Sequence, residues 1–164
     1  GSEMCIRDRR EAEVVNKTKD EIFMDEAIRL AESASLMGEV PVGALVVLGG
    51  KVIGAAGNAC IKKSDPTAHA EMLAIKQASS HVGNYRLVGA SLYVTIEPCT
   101  MCLGAMMHAR ISRLVFGALE AKSGAVVSND VMSLGHFNHS IEIASGIREE
   151  ICGRLMSEFF ERRR

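Results

Sequence analysis

Two short stretches hold the residues best suited to act together as a reactive site. They are His69-Ala70-Glu71 and, thirty residues after the histidine, Pro98-Cys99-Thr100-Met101-Cys102. One imidazole and two thiolates make three borderline-to-soft donors, a set that suits a tetrahedral zinc ion whose fourth position is open. An open fourth position marks a catalytic zinc rather than a structural one. A carboxylate two residues beyond a ligand is placed to handle protons at a metal-activated water, which makes Glu71 the expected general acid and base. The set predicts one zinc ion (Zn2+) per chain, held by His69, Cys99 and Cys102, with Glu71 as the catalytic residue.

Each half also has an ordinary reading. Cys99-x-x-Cys102 alone suits a redox pair at a helix start, or half of a structural zinc site completed by His136 and His139. The latter spacing departs from the finger-like pattern of ~12–15 residues followed by three to five. His81 and His108 read as ordinary polar side chains. A first-turn glutamate is commonly just stabilised by the helix dipole. Placement favours the reactive reading. Both motifs are expected in the first turn of a helix that follows a strand, at the same edge of one sheet. Helix-start amides and the dipole favour thiolates there, and crevices beyond strand ends are where α/β proteins bind ligands.

The elements that carry these motifs follow from periodicity and capping. Thr18-Lys19-Asp20-Glu21 fits a capping box, and Phe23, Ala27, Leu30, Ala31 and Ala34 recur at helical spacing, which predicts a helix over 19–37 stopped by Gly38. Val42 to Leu48 and Lys51 to Ala56 read as strands joined at Gly49-Gly50 in an antiparallel hairpin, with Asn58 just past the second. Asp65-Pro66-Thr67 is expected to start a second helix that runs to about Ser79. Leu92–Ile96 reads as a central strand, Cys99–Ala109 as a helix and Arg113–Gly117 as a fourth strand. A short helix at Asp130–Leu134, a strand at Ile141–Ile143 and a helix at Ile147–Arg162 complete the order. A hairpin followed by alternating helices and strands predicts one α/β domain, its mixed sheet covered on both faces.

The bulk properties fit such a domain. The chain has 164 residues, 48% hydrophobic and 24% charged, enough to bury a real core. No apolar run approaches the ~20 residues of a membrane-spanning helix, so no membrane partner is expected. A net charge of −1 gives no bulk signal for nucleic acid, so any such substrate must meet a local patch. Five cysteines without the density of a disulfide framework point to a reducing compartment, where paired cysteines bind metals or catalyse. Residues 1–18 show little periodicity and are expected to be a disordered or loosely attached extension of a domain at 19–164.

His-x-Glu…Pro-Cys-x-x-Cys is the signature of zinc nucleobase deaminases. The likeness goes further: "EVPVGALVV", "DPTAHAEMLAI", "NYRL", "LYVTIEPCTMCLGAMMHARI", "VFGALEAKSGA", "FNH" and "FFERRR" all resemble the bacterial tRNA-specific adenosine deaminases. The resemblance covers about residues 19–164. It implies a cytidine-deaminase-like three-layer α/β/α fold with a mixed five-stranded sheet. It also implies a cytoplasmic homodimer that acts on a tRNA anticodon stem-loop and converts the wobble adenosine to inosine. By the same resemblance Asn58 hydrogen-bonds the target base, although a turn asparagine is its ordinary reading. The Ala70 amide, Val40 and Ile96 form the pocket, and Asn138-His139 lies near the anticodon loop. Phe160, beside Phe159, is either core or a base-stacking platform. The basic tail Arg162–Arg164 is a solvated terminus or a phosphate contact. Glu120 stands where aspartate is expected, so its contact with ribose or backbone is altered. The runner-up is a deaminase of a free base or nucleoside, guanine or cytosine type, since guanine deaminases share a similar "DPTAHAE" and cysteine motif. A non-catalytic zinc or RNA-binding module would need a fully protein-ligated metal, and Glu71 argues against it.

Overall fold

The computed structural model describes residues 16–135 and 137–163. The expectations for residues 1–15, His136 and Arg164 therefore lie outside the described residues.

Helix α1 (Lys19–Leu36) begins as its sequence predicts. The Thr18 hydroxyl accepts from the Glu21 amide and the Glu21 carboxylate accepts from the Thr18 amide, both at 3.1 Å, so two free helix-start amides are satisfied reciprocally. Its inner stripe of Met24, Ala27, Ile28, Ala31 and Ala34 is buried. Strand β1 (Gly43–Leu48) turns at Gly49-Gly50, φ +59° and +77°, into antiparallel β2 (Lys51–Gly57). On its other side β1 pairs antiparallel with β3 (Ser91–Ile96). The parallel strands β4 (Arg113–Ala118) and β5 (Glu142–Ser145) follow. The order β2-β1-β3-β4-β5 is a mixed sheet with β3 at its centre, and β3 is buried from Leu92 to Ile96.

Helices cover both faces. Helix α2 (Ala70–Val82) packs on β1 and β2 and touches α3 (Thr100–His108). On the opposite face lie α1 and α4 (Glu149–Glu161), which meet each other and the strands. Tyr93 belongs to the α1 face: its ring lies 5.2 Å from that of Phe23, and its hydroxyl donates to Asp20. Leu92 and Val94 alternate to the other face. The result is the three-layer α/β/α arrangement.

One boundary moved. The second helix starts at Ala70, not at Asp65-Pro66-Thr67. Asp65 accepts from both the Thr67 amide (2.8 Å) and the Thr67 hydroxyl (2.7 Å), closing a local turn of its own. His69 then has extended backbone (φ −70°, ψ 151°) and is the residue before the helix rather than part of its first turn. Cys99 occupies the same position before α3, with ψ 173°. Both motifs thus sit at helix starts, beyond the ends of β2 and β3.

Asp20 ties α1 to the sheet. Its carboxylate accepts from two nitrogens of Arg113 (2.8 and 2.7 Å) and from the Tyr93 hydroxyl (2.7 Å). The Arg113 guanidinium holds the Asp20 carboxyl below its ordinary range, while burial and Asp20 push the Tyr93 phenol up to about 12. A carboxyl depressed in the folded state stabilises fully above its unfolded pKa near ~4, and that contribution is lost as pH falls through the folded value. Asp20→Asn should therefore lower stability by about 2 kcal/mol at pH 7. Urea unfolding of both proteins at pH 7 and pH 3 checks this; the difference should shrink at the lower pH.

Candidate active site

Three elements converge at the edge where β3 and β4 end. Asn58 follows β2, His69 and Glu71 stand at the start of α2, and Cys99 and Cys102 at the start of α3. The Nδ1 of His69 lies 3.6 Å from the Cys99 sulphur and 3.5 Å from that of Cys102, and all three donor atoms fall within 4.8 Å of one another. Zinc–sulphur and zinc–nitrogen bonds of normal length at a tetrahedral angle put nitrogen and sulphur roughly 3.5–3.6 Å apart. The donor set and its spacing therefore fit a metal ion held by these three residues. The alternative pairing with His139 does not form: His139 Nε2 lies 2.6 Å from the Ile111 carbonyl oxygen, at the opposite end of the parallel strands.

Electrostatics follow from burial and proximity. Cys102 is fully buried, whereas Cys99 and His69 are half-buried. The Cys102 thiol, followed by His69, holds the Cys99 thiol down to about 4. The resulting Cys99 thiolate, burial and Glu71 push Cys102 up. Hydrogen bonding to Cys99 raises His69. Glu71 is only 3% exposed, and burial raises its carboxyl above the ordinary range. A carboxyl shifted toward neutrality next to a metal group is suited to taking and returning protons.

A cavity of about 870 Å³ opens onto this group. Val40, Asn58, His69, Glu71, Ile96, Cys99, Glu120 and Phe160 all line it. Cys102 and Ala70 lie behind it, buried. The Ala70 amide donates to Asn58 Oδ1 at 2.7 Å, so within this chain it fixes Asn58 and leaves the Asn58 NH2 to face a ligand. Glu120 is folded onto its own loop, where it accepts from the Lys122 and Ser123 amides (3.2 Å each) and from the Ser123 hydroxyl. Phe160 is 47% exposed, while Phe159 is buried beneath it in an edge-on pair at 5.3 Å. Asn138 is exposed, and neither it nor His139 lines the cavity.

Sequence reasoning missed several wall residues, among them Leu119, Lys122 and Met156, and read Arg163 only as part of a basic tail. Arg163 donates to the Gly38 carbonyl (2.7 Å) and lies 4.3 Å over the Phe159 ring, which draws the end of α4 across the cavity. Two buried carboxylates were also missed. Glu39 accepts from the Ile61 amide at 2.7 Å, and Glu97 gathers the amides of the loop after β4. The one available signal was that each glutamate abuts an apolar stretch leading into the site.

The sequence profile of the MafB19-like deaminases matches residues 18–164. The chain is 45% identical to the tRNA-specific adenosine deaminase of Haemophilus influenzae over 161 residues, 94% of this chain and 90% of that protein. It is 46% identical to the enzyme of the same name from Bacillus subtilis, over 87% of this chain and 89% of that one. The chain belongs to the tRNA-specific adenosine deaminases. A solved chain from studies of A-to-I editing by tRNA:A34 deaminases at the wobble position superimposes with a TM-score of 0.79 at 43% identity, covering 81% of this chain and 97% of that one. The guanine deaminase of Bacillus subtilis is more distant, at 32% identity and a TM-score of 0.61, covering 74% of this chain and 82% of that one. The family and the fold expected from the motifs are thus both found, and the His69–Cys99–Cys102 group lies where the signature residues meet. Among the described residues no helix is long and apolar enough to cross a membrane.

Proposed function

We propose that this chain deaminates adenosine to inosine at the wobble position of a tRNA anticodon, with one zinc ion held by His69, Cys99 and Cys102. The observation that carries the chemistry is the buried Glu71 carboxylate opening on the same cavity as His69 and Cys99. The choice of substrate is supported by the higher identity to tRNA-specific adenosine deaminases than to the guanine deaminase. When bound, zinc supplies Lewis acidity that makes a water nucleophilic near neutral pH.

The chain's own residues do the rest. Glu71 takes a proton from the attacking water and delivers it to purine N1 as the new bond forms to C6. It then passes the second water proton to the exocyclic amine, which leaves as ammonia while C6 becomes the inosine carbonyl. One water is consumed and one ammonia released. The Asn58 NH2, its oxygen engaged by Ala70, donates to the base. Val40 and Ile96 give the slot apolar walls, and half-exposed Phe160 at the rim suits stacking on a neighbouring base. Glu120, held on its loop, faces the sugar–phosphate side. A wobble nucleotide in a single-stranded loop is extruded into such a slot without breaking a base pair.

Asn138 and His139 are assigned to RNA outside the base pocket, and Arg162–Arg164 to phosphate. The resemblance supports a homodimer working in the cytoplasm, with 19–164 as the deaminase domain and 1–18 as an appended extension. A competition assay tests the substrate. Purified protein offered an anticodon stem-loop together with free adenosine, guanine and cytosine should convert only the stem-loop adenosine. Conversion of a free base without action on the RNA would instead support the free-base reading.

A further inference from the structure

A buried carboxylate that the mechanism does not use lies beside the metal group. Glu97 is 3% exposed, between the last residue of β3 and Pro98-Cys99. Buried charges are ordinarily paired with a cation. Among the described residues no lysine or arginine pairs with Glu97. Its five donors all come from the loop after β4. Oε1 accepts from the Glu120 amide (3.0 Å) and the Ser128 hydroxyl (2.5 Å). Oε2 accepts from the amides of Val126 (3.0 Å), Val127 (2.7 Å) and Ser128 (2.9 Å). Converging amides of this kind offset a negative charge as a cation would.

The backbone repeats the connection. The Glu97 amide donates to the Ala118 carbonyl at 2.8 Å, and the Ala125 amide donates to the Pro98 carbonyl at 2.9 Å. The loop is also shaped to the carboxylate: a Cβ on Gly124 would stand 2.3 Å from both the Glu97 carboxyl carbon and Oε1. Between its anchored ends the loop carries Leu119, Glu120, Lys122 and Ser123 to the cavity wall. Ala125 and Val126 are buried at one end of the loop, whereas Leu119 is 50% and Val127 53% exposed, so the wall-forming part leans on the Glu97 contacts. We infer that Glu97 is a positioning residue that sets the 119–128 loop as a substrate-facing wall and couples that wall to the turn carrying Cys99. The loop contact stands on the geometry alone; its consequence for substrate rests on the proposed function.

Glu97→Gln tests this with nearly the same volume. An amide has one acceptor oxygen, so its NH2 must face amide donors on one side of the loop, and at least one anchor is lost. Amide hydrogen exchange at Glu120, Val126, Val127 and Ser128 should speed up about tenfold or more, while β3 and β4 stay protected. Metal content should be unchanged. On the anticodon stem-loop, KM should rise about tenfold with kcat held within about twofold. Unchanged exchange at those four amides would overturn the inference. So would loss of protection across β3 and β4 together with the metal, or a fall in kcat at constant KM, since either is a different role. Ser128→Ala removes the hydroxyl that donates to Glu97 Oε1 from the loop side and should give the same selective pattern; it decides the matter if Glu97→Gln does not fold. If the unaltered protein fails to deaminate the stem-loop, the functional reading fails by itself, and hydrogen exchange still decides the role of Glu97.

Discussion

Glu71→Ala should keep the metal and lower turnover by about 10²- to 10⁴-fold. Glu71 is not one of the three grouped donors, so its loss leaves His69, Cys99 and Cys102 in place. What disappears is the group that takes a proton from water and returns one to the purine. Glu71→Gln separates chemistry from packing, because it fills the same volume without a titratable oxygen. Burial raises the folded-state pKa of Glu71, so its ionised form opposes folding once pH passes the ordinary carboxylate range. In the metal-free protein Glu71→Gln should therefore be at least as stable as the parent at pH 7 while remaining inactive. Metal analysis, thermal unfolding and single-turnover kinetics on one preparation read all three quantities. Retained turnover in either variant would remove Glu71 from the mechanism.

Cys102→Ser should release the ion. The side chain is fully buried and lies 3.5 Å from His69 Nδ1, so no solvent ligand can take its place without rearrangement. A serine hydroxyl keeps its proton and is a harder donor than thiolate. Changes to groups that merely orient a ligand weaken metal affinity ~10–100-fold, so loss of a ligand should exceed about 10²-fold. The metal-free electrostatics add a pH dependence. Cys99 is already held down to about 4, whereas Cys102 is pushed up, so ion uptake near neutrality must displace the Cys102 proton. Affinity should then rise with pH and fall as pH is lowered, and binding should acidify a weakly buffered solution. Chelator competition across pH measures both. A Cys102→Ser protein that retained its ion after dialysis would break the ligand set.

The meeting of His69, Cys99 and Cys102 in a group that could hold a metal was legible because its signal is local: two helix starts, each marked by a turn or proline and each bearing ligand-type residues. The strands, the opening hairpin and the central place of β3 also followed from short apolar runs with turn residues between them. The start of α2 did not, because Asp65 reads equally as a helix cap and as the head of a closed turn, and only the backbone decides. The inward glutamates were hidden for a related reason. Beyond an adjoining apolar stretch, "EVPVG" and "IEPC" do not say that a carboxylate turns into the protein, since that depends on amides 22 and 23 or more residues away. The far wall depends on tertiary placement as well. Arg163 reaches the Gly38 carbonyl across 125 residues of sequence, bringing Phe160 to the rim over the metal group. Asn138 and His139, which the resemblance placed near the anticodon loop, do not line the cavity, and His139 is held at the other end of the parallel strands.

The most direct test of wobble adenosine deamination is mass spectrometry of a bacterial tRNA pool incubated with the purified, zinc-loaded protein. Digestion to anticodon-containing fragments should reveal inosine at the wobble position, with the mass gain of one oxygen for one NH, and Glu71→Ala protein should leave that position as adenosine. Unmodified wobble adenosine with active zinc-loaded protein, or inosine formed equally at adenosines elsewhere in the RNA, would contradict the account.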